Sequence, residues 1–209
     1  MFIFIIPSLP AQTVATINAP NMRYQLTSPP GWYFFQSAYE TGRISLLIPD
    51  GETKESSKRF IYALDVPYEK DYETVQQVVQ GDLEGSENSA THVEVLHDST
   101  IILSSGQEAR IIYFAPFLMM GELNWQANAY IGNGTGCLKI SLATSEAESF
   151  TKHIPDFEFV VNSYVFLESW GLKKDWVMDL DHFVFYYSSK TTHFEPHSIN
   201  NWAQNILSS

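Results

Sequence analysis

From Asn21 to Ala143 the sequence keeps returning to a two-residue rhythm, apolar then polar, cut at intervals by Gly- and Pro-rich turns. Alternate side chains of an extended backbone lie on opposite faces, so such a rhythm buries one face only when strands pair into a sheet. Met22, Tyr24 and Leu26 set the first such strand. Pro29-Pro30-Gly31 then predicts a tight turn, because proline presets φ and glycine accepts what other residues avoid. "WYFFQSAY" at 32–39 resumes as a second strand, Ile44–Ile48 is a third, closed by "PDGE", and "RFIYALDV" at 59–66 is a fourth. Short connections of this kind join antiparallel neighbours.

The rhythm continues at His92–Leu96, Thr100–Leu103, Ala109–Phe114, Leu123–Ile131 and Cys137–Ala143, with "SSGQ" (104–107) and "GNGTG" (132–136) as hairpin turns. The glycines at 132, 134 and 136 resemble a phosphate loop in composition only. Such a loop must run into a helix N-terminus, whose free N–H groups meet the anion, and here a strand follows. Two stretches change to the helical period. In residues 71–85, Val75, Val78, Val79 and Leu83 share a face, with Asp71 to cap the start, Gly85 to end it and Gly81 weakening it inside. In residues 145–166, Phe150, Ile154, Phe157, Val161 and Tyr164 share a face, Ser145 and Glu148 form a capping box, and Pro155 is expected to kink or split the helix. The expected fold class is α+β, an antiparallel sheet flanked by helices.

Of the 209 residues 44% are hydrophobic, enough to close a core. The net charge of −12 repels phosphate backbones and anionic lipid headgroups, which argues against nucleic-acid binding. The single cysteine, Cys137, permits neither an intrachain disulfide nor a Cys-based zinc site, and its apolar strand points to a small core residue. The first twenty residues, "MFIFIIPSLPAQTVATINAP", read as a truncated signal peptide or a disordered arm, with Ala11 and Ala15 as cleavage positions. That reading makes the protein exported, periplasmic in a bacterium, and cytoplasmic if the segment is no signal remnant. The apolar run is far short of the ~20 residues that span a bilayer.

Taken in order, these elements resemble the PsbP-like fold group, which includes the bacterial DcrB-like envelope proteins. The likeness rests on "SPPGW" at 28–32, on "FEFVVNSYVF" at 157–166, and on the order of elements between Met22 and Phe166. It implies an α/β/α sandwich over residues 21–167, and an accessory, scaffold or binding role outside the cytoplasm rather than catalysis. It brings no catalytic residue. Residues 168–209 depart from it. There "HFVFYYSS" suits a strand, and "SINNWAQNIL" sets Ile199, Trp202 and Ile206 on one helical face behind a Ser198 cap, docking on the domain or on a partner.

No G-x-S-x-G, Walker or H-E-x-x-H motif is present. "HFEPH" would set His193, Glu195 and His197 on one side of an extended segment, a plausible set of metal ligands. Asp179, Asp181 and His182 could add to it, and Pro196 interrupts it. "DGETKESS" from Asp50 lacks the donor spacing that wraps calcium. "FAPFLMMGELNW" at 114–125 carries Met119 and Met120 in an apolar loop, either an adaptable contact surface or a plug over the sheet. With Trp202 these are the expected binding residues. The sequence thus reads as a non-catalytic binding or accessory protein of the bacterial envelope, with a protein partner, no cofactor and no nucleic acid. An acidic inhibitor or immunity-type protein is one form of that reading. The alternatives are a metal-dependent hydrolase built on the C-terminal His cluster and a purely structural, oligomer-forming module.

Overall fold

A computed structural model describes residues 12–19, 21–35, 44–68, 73–89, 93–119, 122–169, 177–180 and 183–186. Its centre is a sheet of eight antiparallel strands: β3 (Trp32–Phe34), β4 (Ile44–Pro49), β5 (Arg59–Pro67), β6 (Val95–Ile102), β7 (Glu108–Phe114), β8 (Phe117–Met119), β9 (Glu122–Gly132) and β10 (Gly136–Thr144). They lie in the order β3-β4-β5-β10-β9-β7-β6, and β8 extends the β9 ladder beyond β7. A second sheet of three strands joins β1 (Val14–Asn18), β2 (Met22–Thr27) and β11 (Val165–Ser169), with β2 in the middle. The helices are α1 (Val75–Ser89) and α2 (Ala147–Asn162). A hairpin of β12 (Val177–Leu180) and β13 (Phe183–Tyr186) lies in the C-terminal stretch.

The two faces of the large sheet follow from the alternation. One face carries Ile61 and Ala63, Ala109 and Ile111, Ala127, Ala129 and Ile131, and Leu138, Ile140 and Leu142. Phe150, Phe157, Val160 and Val161 of α2 pack on it, together with Ile17, Tyr24 and Leu26 of the small sheet. The other face presents Ile112, Phe114, Tyr130 and Cys137, and receives Val78 and Val79 of α1. Antiparallel sheet plus two helices is the α+β class expected. The layer over the first face, however, is a helix and a small sheet together, where helices alone were expected.

Trp32 shows what the Pro29-Pro30-Gly31 turn achieves. Gly31 takes a φ of 80°, and the amide of Trp32 bonds back to the carbonyl of Pro29 at 3.2 Å. The buried indole then lies edge-on to His153, 5.3 Å between ring centres, and donates its Nε1–H to Asp156 Oδ2 at 3.1 Å. The turn thereby fastens the first strand of the large sheet to α2.

Several local expectations change. Residues 95–102 form one strand where two were read, since Ser99 and Thr100 pair with Ile111 and Arg110 without a break. Val14–Asn18, inside the stretch read as a leader remnant, is β1, with Ala15 and Ile17 buried. A leader ending at Ala11 would leave that strand whole, and one ending at Ala15 would cut it. Helix α1 starts from Thr74, whose Oγ1 accepts the amide of Gln77, while Gln77 Oε1 accepts the amide of Glu73. It continues past Gly85. The proposed cap Asp71 lies outside the described residues.

Helix α2 has no Ser145–Glu148 capping box. Glu146 is the N-cap, still extended at φ −122°, and its carboxylate pairs with Lys58 at 3.1 Å. The helix runs unbroken through Pro155, because Phe150 and His153 before it and Phe157 and Val160 after it are all buried. It stops at Asn162, so the expected extension to Phe166 fails. Ser163 accepts the Thr27 amide at Oγ (2.9 Å), and Val165 and Phe166 then pair with Gln25 and Tyr24. Long-range pairing with β2 outweighs local helix preference.

Candidate functional site

Beyond Phe114 the run of β7 along β9 is broken by Ala115-Pro116. Proline offers no ladder N–H, and pairing with β9 resumes only at Phe117. The three residues of β8 then face the start of β9, Phe117 opposite Asn124, Leu118 opposite Leu123 and Met119 opposite Glu122. Alternation decides the rest. Phe117 turns inward, buried against Phe114 in an edge-to-face contact at 6.4 Å. Leu118 therefore points outward, 49% exposed, beside Leu123 at 45%. An apolar cross-strand pair thus faces solvent at the tip of a hairpin. Such a pair gains its full hydrophobic free energy only when something covers it.

Met119 ends β8, and Met120 lies outside the described residues. Trp202, His193, Glu195 and His197 lie outside them as well, as do Asp181 and His182, while Asp179 is placed in β12 opposite Val184. Among the described residues no three His, Cys, Asp or Glu side chains come together to hold a metal ion. The sequence reading named the methionines and passed over Leu123 as an ordinary strand position. The signal for it was present. Phe117 inward forces Leu118 outward, and the antiparallel pairing of β8 with β9 sets Leu123 opposite it.

A second cluster lies beneath α1. Asp82 on the helix pairs with Lys139 of β10 at 2.5 Å and accepts the Tyr130 hydroxyl at 2.8 Å. Asn128 donates to the Tyr130 oxygen at 2.9 Å, and Gln126 to Asn128 Oδ1 at 2.9 Å. Burial opposes the charge on Lys139, but Asp82 beside it holds the ammonium above its ordinary range. Burial, then the charge of Asp82, pushes the Tyr130 phenol well up. Nearby, Arg110 binds Asp98 through two nitrogens at 2.9 and 2.7 Å and also meets Gln76 of α1. These contacts fix the helix to the sheet. Cys137 is fully buried, and burial pushes its thiol up to about 12, so it is inert at neutral pH.

His153 is the remaining group with catalytic character. Its Nδ1 bonds Asp156 Oδ2 at 2.7 Å, the oxygen that also takes the Trp32 indole. Its Nε2 is buried with no hydrogen-bond partner among the described residues. Ser149, one turn earlier on α2, is also buried with its Oγ unpartnered among the described residues, and the contacts the pair makes hold Trp32 to α2. An open groove of about 470 Å³ between Ser104, Gln107, Asn162 and Phe166 has no acidic or basic side chain in its lining.

No family model and no curated protein matches the sequence. Solved structures do match its fold. LpqN of Mycobacterium tuberculosis, involved in cell envelope biogenesis, is similar with a TM-score of 0.53 at 12% identity, over 76% of this chain and 91% of its own. Cyanobacterial PsbP from Synechocystis aligns at 0.49 and 11%, over 80% and 98%. The Saccharomyces cerevisiae Ran-binding protein Mog1p aligns at 0.46 and 10%, over 74% and 96%. The likeness to LpqN carries the fold, which is the PsbP-like fold that the sequence order implied.

Proposed function

We propose that the protein is a non-catalytic accessory protein of the bacterial cell envelope that works by covering or holding a protein partner. The observation that carries this reading is the exposed Leu118–Leu123 pair on a hairpin otherwise packed through Phe117. A small exposed apolar patch of this kind is the form of a contact site. Met119 and Met120, next in the sequence, are the further contact residues of this reading, since a thioether chain adapts to an irregular surface. Trp202 would add to the contact from the C-terminal stretch. The net charge of −12 steers a basic partner, the behaviour of an acidic inhibitor or immunity-type protein. The envelope is proposed from the N-terminal segment, and among the described residues no helix is long and apolar enough to cross a membrane. The fold shared with LpqN is compatible with many roles and supports none of them in particular.

The test is affinity capture. The chain from Gln12 onward is immobilised and exposed to bacterial envelope extract at low and moderate salt. The expected result is one stoichiometric protein, retained by the unchanged chain and lost when Leu118→Asp and Leu123→Asp are combined. Retention of nothing specific, or equal retention by the variant, would remove this reading. The hydrolase alternative has its own measurement. One equivalent of bound metal, lost together with a hydrolytic activity in His193→Ala or His197→Ala, would replace the accessory role.

A further inference from the structure

Strand β6 ends the large sheet, and among the described residues no strand pairs with its outer side. It is eight residues long, from Val95 to Ile102. Each second residue of such an edge points its N–H and C=O outward, a ready template for another strand. Proteins usually blunt long edges with prolines, lysines or bulges. Here the only such device is an irregularity between Val95 and His97, which leaves residues 97–102 in regular register with β7. The strand also exposes large apolar side chains, Val95 at 38%, Leu96 at 58% and Ile102 at 65%. Val95 pairs with Phe114, three residues before Phe117, so the edge opens toward the same end as the Leu118–Leu123 tip.

Charge selects the occupant. Residues 94–108 contain Glu94, Asp98 and Glu108 and no Lys or Arg. Glu108 stands opposite Ile102, and Glu158 of α2 accepts the Tyr113 hydroxyl at 2.8 Å beside the His97 ring. Arg110 is the nearby cation, and its guanidinium is taken by Asp98. A second copy of the chain would bring the same acids together on one ladder, where like charges destabilise, and would meet a net charge of −12 with another. A strand carrying Lys or Arg in alternation with apolar residues would satisfy both the edge and its acids.

We propose that β6 is a docking edge that takes a basic, extended segment of a partner protein as an added antiparallel strand. This rests on the accessory reading and specifies the partner's chemistry. Backbone hydrogen bonds supply affinity in this mode, and alternate side chains supply selection. Ile102 and Glu108 are paired across β6 and β7 and so share one face, where Glu108 meets the cations of the incoming strand, while its apolar side meets the face of Ile101.

The probe is a synthetic peptide, acetyl-Lys-Val-Lys-Val-Lys-Val-amide, titrated into isotope-labelled protein at about 0.15 M salt, where long-range attraction is screened. Saturable binding is expected, with amide shifts centred on 95–102. It should weaken at least several-fold with Glu94→Lys plus Glu108→Lys, and vanish when alternate peptide nitrogens on the docking edge are methylated. The glutamate version of the peptide should not bind. Binding that survives methylation of each edge in turn, shifts centred elsewhere, or no saturation would overturn the proposal. So would a peptide-free dimer broken by Leu96→Lys, which would make the occupant a second copy. Envelope capture that depends on Leu118 and Leu123 while the peptide fails would sink the edge and leave the accessory reading standing. Peptide binding with no captured partner would sink the accessory reading alone.

Discussion

At the scale of single residues, the alternate glycines of the 132–136 hairpin serve three different ends. Gly134 has a φ of 87° and makes the turn itself. Gly132 lies under the first turn of α1, where an added Cβ would come 2.8 Å from Val75 Cγ2. At Gly136 it would strike the side-chain amide of Asn21 and come 2.8 Å from the backbone carbonyl of Val66. A backbone oxygen cannot rotate away, so Gly136→Ala should cost about 2–3 kcal/mol, the scale of an overpacked core, in chemical denaturation. Gly134→Ala should cost less, about 1 kcal/mol, from backbone strain alone. Equal losses at the two positions would contradict this account. Lys139 poses a related test. Lys139→Met leaves Asp82 without its cation but still bonded to Tyr130. Because Asp82 is partly exposed, the loss should be about 2 kcal/mol rather than the larger value of a wholly buried pair.

At the scale of elements, α2 carries an interior proline at a local cost of about 3 kcal/mol against a helix former. Its buried face offsets that cost. Pro155→Ala should therefore raise stability by about 2 kcal/mol, the helix gain less the lost restriction of the unfolded chain. A melting temperature unchanged or lowered would mean that the proline sets the path of the helix. Strand β1 supplies another measurement. Its entry is held by the Thr13 amide on Ser28 Oγ at 3.0 Å and by the Ser28 amide on the Thr13 carbonyl at 2.8 Å. A chain starting at Thr16 should be about 2 kcal/mol less stable than one starting at Gln12, one such bond each at ~1 kcal/mol. Equal stabilities would show that residues 12–15 add nothing to the domain.

At the scale of the whole molecule, titration couples the core to pH. Burial raises the phenols of Tyr24, Tyr130 and Tyr164 above the ordinary value, and Lys139 is also held high, with Asp82 outweighing its burial. A raised pKa means stability that is whole below the unfolded value and lost as pH rises toward the folded one. For tyrosine that loss begins near pH ~10. The protein should unfold cooperatively in alkali, with tyrosinate absorbance appearing together with loss of structure. Tyrosinate formed well before unfolding would place these phenols in contact with water. On the acid side, Arg110 holds the Asp98 carboxyl below its usual range, so its contribution is present above that range and lost as pH falls through the lowered value.

Period alone was enough to assign most strands from residue 22 to residue 144, both helices and the α+β class, because alternation and the 3.6-residue repeat are local properties of burial. Cys137 and Trp32 as packed residues were legible for the same reason. The end of α2 was not. Nothing in "SYVF" chooses between another helical turn and a strand, and the choice fell to β2, about 140 residues earlier in the chain. The path of the chain through Pro155, the layer shared by α2 and the small sheet, and the outward turn of Leu118 beside Leu123 were likewise settled by tertiary contact. The exposed tip and the open edge of β6 belong with them. A sequence shows which residues are apolar, but only packing shows which apolar residues are left without cover.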